Sequence, residues 1–227
     1  MRNYGDKKYW EKYYKNIDNT TFDWLLEYPY VKEIISSLKL SKESSKILNV
    51  GCGNSEFSEN MYDDGYHNIQ NIDLSPELIE LMKERSQNRP GMTYEVMDVF
   101  DMTYKNNFFD LIIDKSTLDA ISCSYDHFVN IAKMLKEIQR ILKIGGYYMI
   151  ISYEEPDNRL IHLNRKFLKF KIDTIKLKEN YGKGIRNDFI YIYLCKKLEG
   201  ADEASEIYYE ETIKELIAQE EIEEDQD

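Results

Sequence analysis

The stretch Lys46-Ile-Leu-Asn-Val50-Gly51-Cys52-Gly53-Asn-Ser55-Glu56 constrains this chain more than any other. It reads as a short buried strand over Ile47–Val50, a tight glycine turn, and the start of a helix. Only residues without a β-carbon let a backbone turn that sharply and let a ligand lie against it. A glycine turn between a strand and a helix is where a doubly wound α/β domain holds a nucleotide-like ligand.

The rest of the chain supplies the alternation such a domain needs. A short amphipathic helix is predicted over residues 31–39, and Asn54 or Ser55 is placed to cap a helix reaching about Asp63. Ile69–Asp73 reads as a second strand ending on a carboxylate. Ser75-Pro76 starts a helix, with serine at the cap and proline at the first position. Residues 93–97 form a third strand, followed by Asp98, and residues 109–114 a fourth, with the continuous apolar centre of a buried parallel strand. Apolar residues at 128, 131, 132, 135, 138, 141 and 142 give helical periodicity. Gly145-Gly146 is expected to end that helix, and residues 147–152 to form a fifth strand. Residues 165–178 and 187–197 read as a hairpin around 181–184 that closes one edge of the sheet. The expected fold is thus α/β, a doubly wound, mostly parallel seven-stranded sheet with an antiparallel C-terminal hairpin.

Charge divides the chain unevenly. Of the net −12, all falls in residues 199–227, where 13 acidic side chains stand against Lys214; the rest of the chain is neutral. The expected organisation is one domain over 1–198, with an aromatic N-terminal arm over 1–30, and an acidic tail over 199–227. The tail is predicted to be helical over 203–220 and disordered over 220–227. No basic stripe is present, which argues against nucleic acid as a partner. No apolar run approaches the roughly 18 residues of a membrane span. The N-terminus is polar and leads into no signal region, so a cytoplasmic location is expected. Cys52, Cys123 and Cys195 read as reduced thiols, and His67, His127 and His162 lack zinc spacing, so no metal site is expected.

The turn selects its ligand. A dinucleotide fingerprint requires a third glycine at position 56, where this chain has glutamate, and no Gly-Lys-Ser/Thr follows to bind phosphates. Asp73 lies 22 residues beyond Gly51 at the end of the next strand, where it can accept hydrogen bonds from ribose hydroxyls. Asp98 can accept from an exocyclic adenine amine. S-adenosylmethionine is the common cofactor with a ribose, an adenine and no phosphate.

Gly51-Cys-Gly-Asn-Ser55, Asp73-Leu-Ser75, Met97-Asp98-Val99 and Asp114-Lys115-Ser-Thr-Leu-Asp119-Ala120 resemble the motifs of class I S-adenosylmethionine-dependent methyltransferases. More narrowly they resemble the eukaryotic lysine methyltransferases of translation elongation factor 1-alpha, including the methyltransferase associated with endothelin-converting enzyme 2. Tyr9-Trp10-x-x-x-Tyr14 and Phe22-Asp23-Trp24 match the opening of that subfamily. The resemblance covers about residues 8–197. It implies a Rossmann-like fold and cofactor contacts from Trp10, Tyr14, Trp24, Gly51, Cys52, Gly53, Asp73, Leu74, Asp98, Val99 and Lys115. It also implies S-adenosylhomocysteine as product and a protein substrate, with elongation factor 1-alpha as the candidate. Two positions depart from it: Ser116, where relatives usually have glycine, and Asp114, where glutamate is common.

Several alternatives stand beside this reading. The arm can be plain packing against the core or an aromatic lid over the ligand. The loop after the fourth strand, Asp114-Lys115-Ser116-Thr117, lacks the Asn/Asp-Pro-Pro-aromatic signature of enzymes that methylate bases. A small-molecule methyltransferase fits the same fold. So does a non-catalytic S-adenosylmethionine-binding interaction module whose acidic tail binds a partner. Asp114, Asp119 and Glu154 are the candidate proton acceptors by position.

Overall fold

The computed structural model describes residues 4–15, 17, 20–178 and 189–224. Seven strands form one sheet: β1 (Ile47–Val50), β2 (Ile69–Asp73), β3 (Met92–Val96), β4 (Phe109–Lys115), β5 (Leu142–Ser152), β6 (Phe170–Lys178) and β7 (Phe189–Lys197). Their order is β3-β2-β1-β4-β5-β7-β6. The first five strands pair in parallel; β7 runs antiparallel to both β5 and β6. This is the expected mostly parallel sheet with its C-terminal hairpin. The turn foreseen at 181–184 lies outside the described residues.

Both faces of the sheet are covered, which is why β1 and β4 are apolar almost throughout. Successive side chains of a strand point to opposite faces. Ile47 and Ile69 join one core with Phe57 and Met61 of α3 (Phe57–Asp63) and Leu78, Ile79 and Met82 of α4 (Pro76–Arg85). Leu48 and Val50 join the other, with Ile131, Leu135 and Ile138 of α6 (His127–Ile141). Val50 pairs with Ile72 on one side and Asp114 on the other. The C-terminal ends of β1, β2 and β4 therefore stand level, and their loops open on one crevice.

Local signals explain several boundaries. Ser75 caps α4 by accepting from the Leu78 N–H at 3.3 Å. Arg85, at the other end of α4, pairs with Glu59 (2.6 Å) and donates to the carbonyls of Asn54 (3.1 Å) and Ser55 (2.8 Å). It thereby latches α4 to the glycine turn. Ser55 Oγ accepts from the Phe57 N–H at 3.0 Å, whereas Asn54 donates to Thr20 O at 2.8 Å and caps nothing.

The structure departs from expectation in four places. Gly145-Gly146 does not end α6: the helix stops at Ile141, and β5 begins at Leu142. The pairing with β4 jumps from Phe109–Leu142 to Leu111–Tyr147, a bulge within one long strand. A β-carbon on Gly146 would stand 3.0 Å from Asp110 O, so glycine is what lets the bulge close against β4. Two helices escaped the sequence pattern: α5 (Thr117–Ile121) and α7 (Pro156–Leu163). Residues 165–169 are a turn rather than strand, so β6 starts at Phe170. Finally, α8 runs over Ala201–Glu224, longer than expected at both ends, so residues 220–224 are helical. Residues 225–227 lie outside the described residues.

α8 packs on the body. Ala201, Ala204, Tyr209, Thr212 and Leu216 are buried. The Tyr209 ring meets Phe167 edge-on at 5.3 Å and lies under Lys136 Nζ of α6 at 3.9 Å. Glu220 accepts from the N–H groups of Phe128 (2.9 Å) and Val129 (3.3 Å). It caps α6 from a distance, where Asp126 makes no side-chain cap. Among the described residues, no helix is long and apolar enough to cross a membrane.

Candidate active site

The turn after β1 behaves as its glycines require. Gly51 and Gly53 both hold φ near the left-handed region, at 58° and 54°. A β-carbon on Gly51 would collide with the Thr117 side chain, and one on Gly53 would come to 3.0 Å from the Tyr14 hydroxyl. Both residues line a cavity of about 290 Å³ at the C-terminal ends of β1, β2 and β4. Cys52 lines it too; its N–H donates to Ile72 O at 3.0 Å, and burial raises its thiol pKa well above the ordinary value.

Carboxylates surround this cavity. Asp73 Oδ2 accepts from the Gly53 N–H at 3.0 Å and Oδ1 from the Ser75 N–H at 3.2 Å. Burial raises its pKa, and the backbone donors of Gly53, Ser75 and Leu74 oppose that rise. Asp98, with Val99 beside it, accepts from the Phe100 N–H at 3.0 Å. Lys115 also lines the cavity, but it is paired with Asp23 at 2.9 Å. Asp23 bonds Ser55 Oγ as well, so one carboxylate joins the arm, the glycine turn and the end of β4.

The arm covers the cavity. Asp6 caps α1 (Lys7–Tyr14) by accepting from the Lys8 N–H at 2.9 Å. Trp10 stacks on Tyr14 (5.9 Å, 22°) and meets Trp24 edge-on (6.4 Å, 81°). Trp10 Nε1 donates to Tyr4 O at 2.7 Å. Trp10, Tyr14 and Trp24 all line the cavity, so packing and covering are one arrangement here.

All eleven residues expected at the cofactor thus meet on a single cavity, Leu74 among them. The candidate proton acceptors do not. Asp114 is fully buried away from the cavity; it caps α5 by accepting from Thr117 N (2.9 Å) and Leu118 N (3.2 Å), and takes the Tyr148 hydroxyl at 2.7 Å. Burial lifts its pKa to about 6. Glu154 is off the cavity and accepts from Asn158 at 2.7 Å. Only Asp119 lines the cavity, paired with Arg159 at 2.6 Å. Ser116, where the resemblance leads one to expect glycine, has φ 68°, a left-handed backbone that glycine adopts most readily. Pattern reasoning passed over Met97, Thr117, Asn130 and Tyr153, which also line the cavity. Met97 and Thr117 lie within the motifs that carry the resemblance, but Asn130 and Tyr153 carry no local signal.

Comparison with known proteins agrees with this geometry. A model described as a methyltransferase domain matches residues 41–213. The chain belongs to the class I S-adenosylmethionine-dependent methyltransferases. This methyltransferase is 38% identical over 154 residues to the mouse (Mus musculus) eEF1A lysine and N-terminal methyltransferase, a match spanning 66% of this chain and 22% of that protein. It is 27% identical over 168 residues to mouse EEF1A lysine methyltransferase 4, covering 70% of this chain and 65% of the relative. The chain spans about a fifth of the length of the curated relatives it first matches. In fold it is similar to an S-adenosylmethionine-dependent methyltransferase from Methanosarcina mazei, with a TM-score of 0.57 at 19% identity, covering 73% of this chain and 98% of that one.

The methyltransferase cofactor fits the residues present. The cradle left by Gly51 and Gly53 is one that β-carbons would fill. Asp73 and Asp98 at the wall of the cavity favour a ligand that brings hydrogen-bond donors over a phosphate-bearing one. Among the described residues no group of three or more His, Cys, Asp or Glu could hold a metal ion.

Proposed function

We propose that this methyltransferase transfers methyl groups to an amine of a protein, with a lysine of an elongation factor 1-alpha-like protein as the substrate. The observation that carries the reading is the 38% identity to an eEF1A lysine and N-terminal methyltransferase over 154 residues. The β4–α5 segment supports it, since Asp114-Lys115-Ser116-Thr117 offers no proline-aromatic platform for a flipped base.

S-adenosylmethionine, when bound, supplies a methyl group on a sulfonium whose sulfur is already an activated leaving group. The chain's own part is then mainly positioning. Asp73 accepts from the ribose hydroxyls, and its bond to the Gly53 N–H keeps that acceptor in register with the turn. Asp98 and Val99 take the adenine end. Gly51, Cys52 and Gly53 floor the methionine end. Trp10, Tyr14 and Trp24 cover the ligand and exclude water. A lysine has a reference pKa of about 10.4 and must lose a proton before its nitrogen can attack. Neither Asp114 nor Glu154 lines the cavity, and Asp119, which does, is paired with Arg159 at 2.6 Å, so this scheme takes water as the proton acceptor.

The test is incubation of the purified chain with tritiated S-adenosylmethionine and, in parallel, purified elongation factor 1-alpha or a cell extract, followed by peptide mass mapping. Label on a lysine of the elongation factor is expected. Label confined to other proteins of a cell extract would reject that substrate, and no labelled polypeptide would reject protein methylation.

A further inference from the structure

The aromatic arm is fastened to the cavity wall at two separate places. One is the end of β4. There Asp23 Oδ1 pairs with Lys115 Nζ at 2.9 Å, and the two side chains are only 10% and 7% exposed. The same oxygen takes the Ser55 hydroxyl, and Oδ2 accepts from the Glu56 N–H at 3.4 Å. The other place is the loop after α5. A β-carbon on Gly5 would collide with the Ser124 backbone, so glycine is what lets the tip of the arm seat there. Side chains connect the two seats. Trp24, next to Asp23 in the chain, meets Trp10 edge-on at 6.4 Å, and Trp10 Nε1 donates to Tyr4 O, next to Gly5.

Lys115 and Ser55 line the cavity, but Asp23 does not. Its bonds therefore bear on where the arm sits and not on a ligand directly. A buried ion pair adds little net stability, because desolvation of the two charges offsets their attraction; what it supplies is a fixed geometry. Once parted, both charges are hydrated again and the desolvation penalty is gone. The costly arrangement lies between, with one charge still buried and its partner withdrawn. Such a pair favours two positions of the arm, fully seated or fully lifted.

We propose that the Asp23–Lys115 pair is the latch of the arm, and that it parts each time the cofactor enters or its product leaves. Asp23 is then a positioning residue that sets the rate of exchange. The inference rests on the reading of the cavity as the S-adenosylmethionine site, and not on what accepts the methyl group. Both partners of the pair belong to the chain itself, so the latch closes with or without a ligand. It therefore restricts entry and exit alike. Weakening it raises the fraction of time the arm is lifted, and association and dissociation speed up by a similar factor while their ratio, the affinity, is kept. A residue that grips the ligand, or one that only props up the site, gives a different signature: its loss speeds dissociation and weakens binding.

The test measures both rate constants for S-adenosylhomocysteine. The two tryptophans of the chain, Trp10 and Trp24, both lie on the arm at the cavity, so stopped-flow tryptophan fluorescence follows association. Dissociation is read by loading the chain with tritiated S-adenosylhomocysteine and chasing with an excess of the unlabelled compound. Asp23→Asn should raise both rate constants about tenfold, the worth of one charge-assisted hydrogen bond, and leave Kd within about threefold of the parent. Unchanged rates overturn the proposal. So does faster dissociation with association unchanged, because the arm would then grip the ligand without gating it. Should Asp23→Asn fail to fold, Lys115→Gln parts the same pair from its other side and is judged by the same two rates. A parent chain that binds no S-adenosylhomocysteine would reject the cofactor site itself and the latch with it, whereas normal binding with unmoved rates rejects the latch alone.

Discussion

The Gly53 N–H donates to Asp73 Oδ2 at 3.0 Å, so the turn after β1 and the carboxylate ending β2 hold one another in place. Neither makes a cofactor site alone. The glycines leave room for a ligand, and the carboxylate supplies the acceptor that grips it. Their bond fixes the distance between the two.

That bond sharpens the effect expected of Asp73 variants. Asp73→Ala removes the acceptor for the ligand and releases the Gly53 and Ser75 N–H groups, so affinity and local order fall together. Two charge-assisted bonds at roughly 1.5 kcal/mol each predict a loss of about 3 kcal/mol, or about 100-fold, in S-adenosylhomocysteine affinity. Asp73→Asn keeps one oxygen and should lose about tenfold. Calorimetry checks both, and an Asp73→Ala affinity equal to the parent's would refute the ribose contact.

Asp114 predicts a pH dependence of stability. Burial raises its pKa in the folded chain from 3.8 to about 6. Folding therefore favours the protonated form. The stability this contributes is complete below about pH 4 and is lost as pH rises through about 6. Asp114→Asn has no proton to lose at this position. The stability difference between parent and variant should shift in the variant's favour by up to about 3 kcal/mol between pH 4 and 7, at about 1.4 kcal/mol per unit. Urea unfolding at several pH values measures it; a pH-independent difference would show that folding leaves the Asp114 pKa unshifted.

Ser116 holds a φ of 68°, a backbone conformation that L-residues adopt at a cost of roughly 1 kcal/mol. Its hydroxyl is buried without a partner. Ser116→Gly relieves both and should stabilise the fold by about 1 kcal/mol, less the added chain entropy of glycine. A stability gain with unchanged S-adenosylhomocysteine affinity is the expected pair of results. A loss of affinity would give the Ser116 hydroxyl a role at the ligand.

Much of this architecture was readable from the chain. Strands β1 and β4 are buried on both faces, so nearly continuous apolar runs announce them, and the carboxylates Asp73 and Asp98 at the ends of β2 and β3 mark the crevice. What failed did so for physical reasons. The five residues of α5 are too few to show helical periodicity. The eight of α7 do begin at Pro156, a start signal that was there to be used. Gly145-Gly146 looks like a helix stop, but its glycines serve a bulge closed against the Asp110 carbonyl. Asp114 stands at a strand end, yet it belongs to the face of Ile112, not that of Ile113 and Lys115, and so turns into the core to cap α5. Position along a strand locates a residue; only the pleat and the next helix decide which way it points. The eleven residues expected at the cofactor line one cavity because most lie in motifs contiguous with strand ends. Asn130 and Tyr153 reach the same cavity from α6 and from beyond β5, with nothing local to announce them.

The acidic C-terminal segment yields the last prediction. Composition alone suggests a solvated tail, but Ala204, Tyr209 and Leu216 of α8 are buried and the helix packs against α6. Leu216 is 1% exposed, while Ile207 on the outer side is 58% exposed. If α8 is integral to the fold, Leu216→Ala should cost about 2–4 kcal/mol, the range for truncating a buried leucine. Ile207→Ala should stay within about 0.5 kcal/mol of the parent. Glu220→Gln keeps an oxygen for the Phe128 and Val129 N–H groups but gives up the charge facing the α6 N-terminus, and should cost about 0.5–1 kcal/mol. Equilibrium urea unfolding ranks the three. Should Leu216→Ala match Ile207→Ala, α8 would be detached in solution, and the acidic segment would be free to act as a separate partner-binding element.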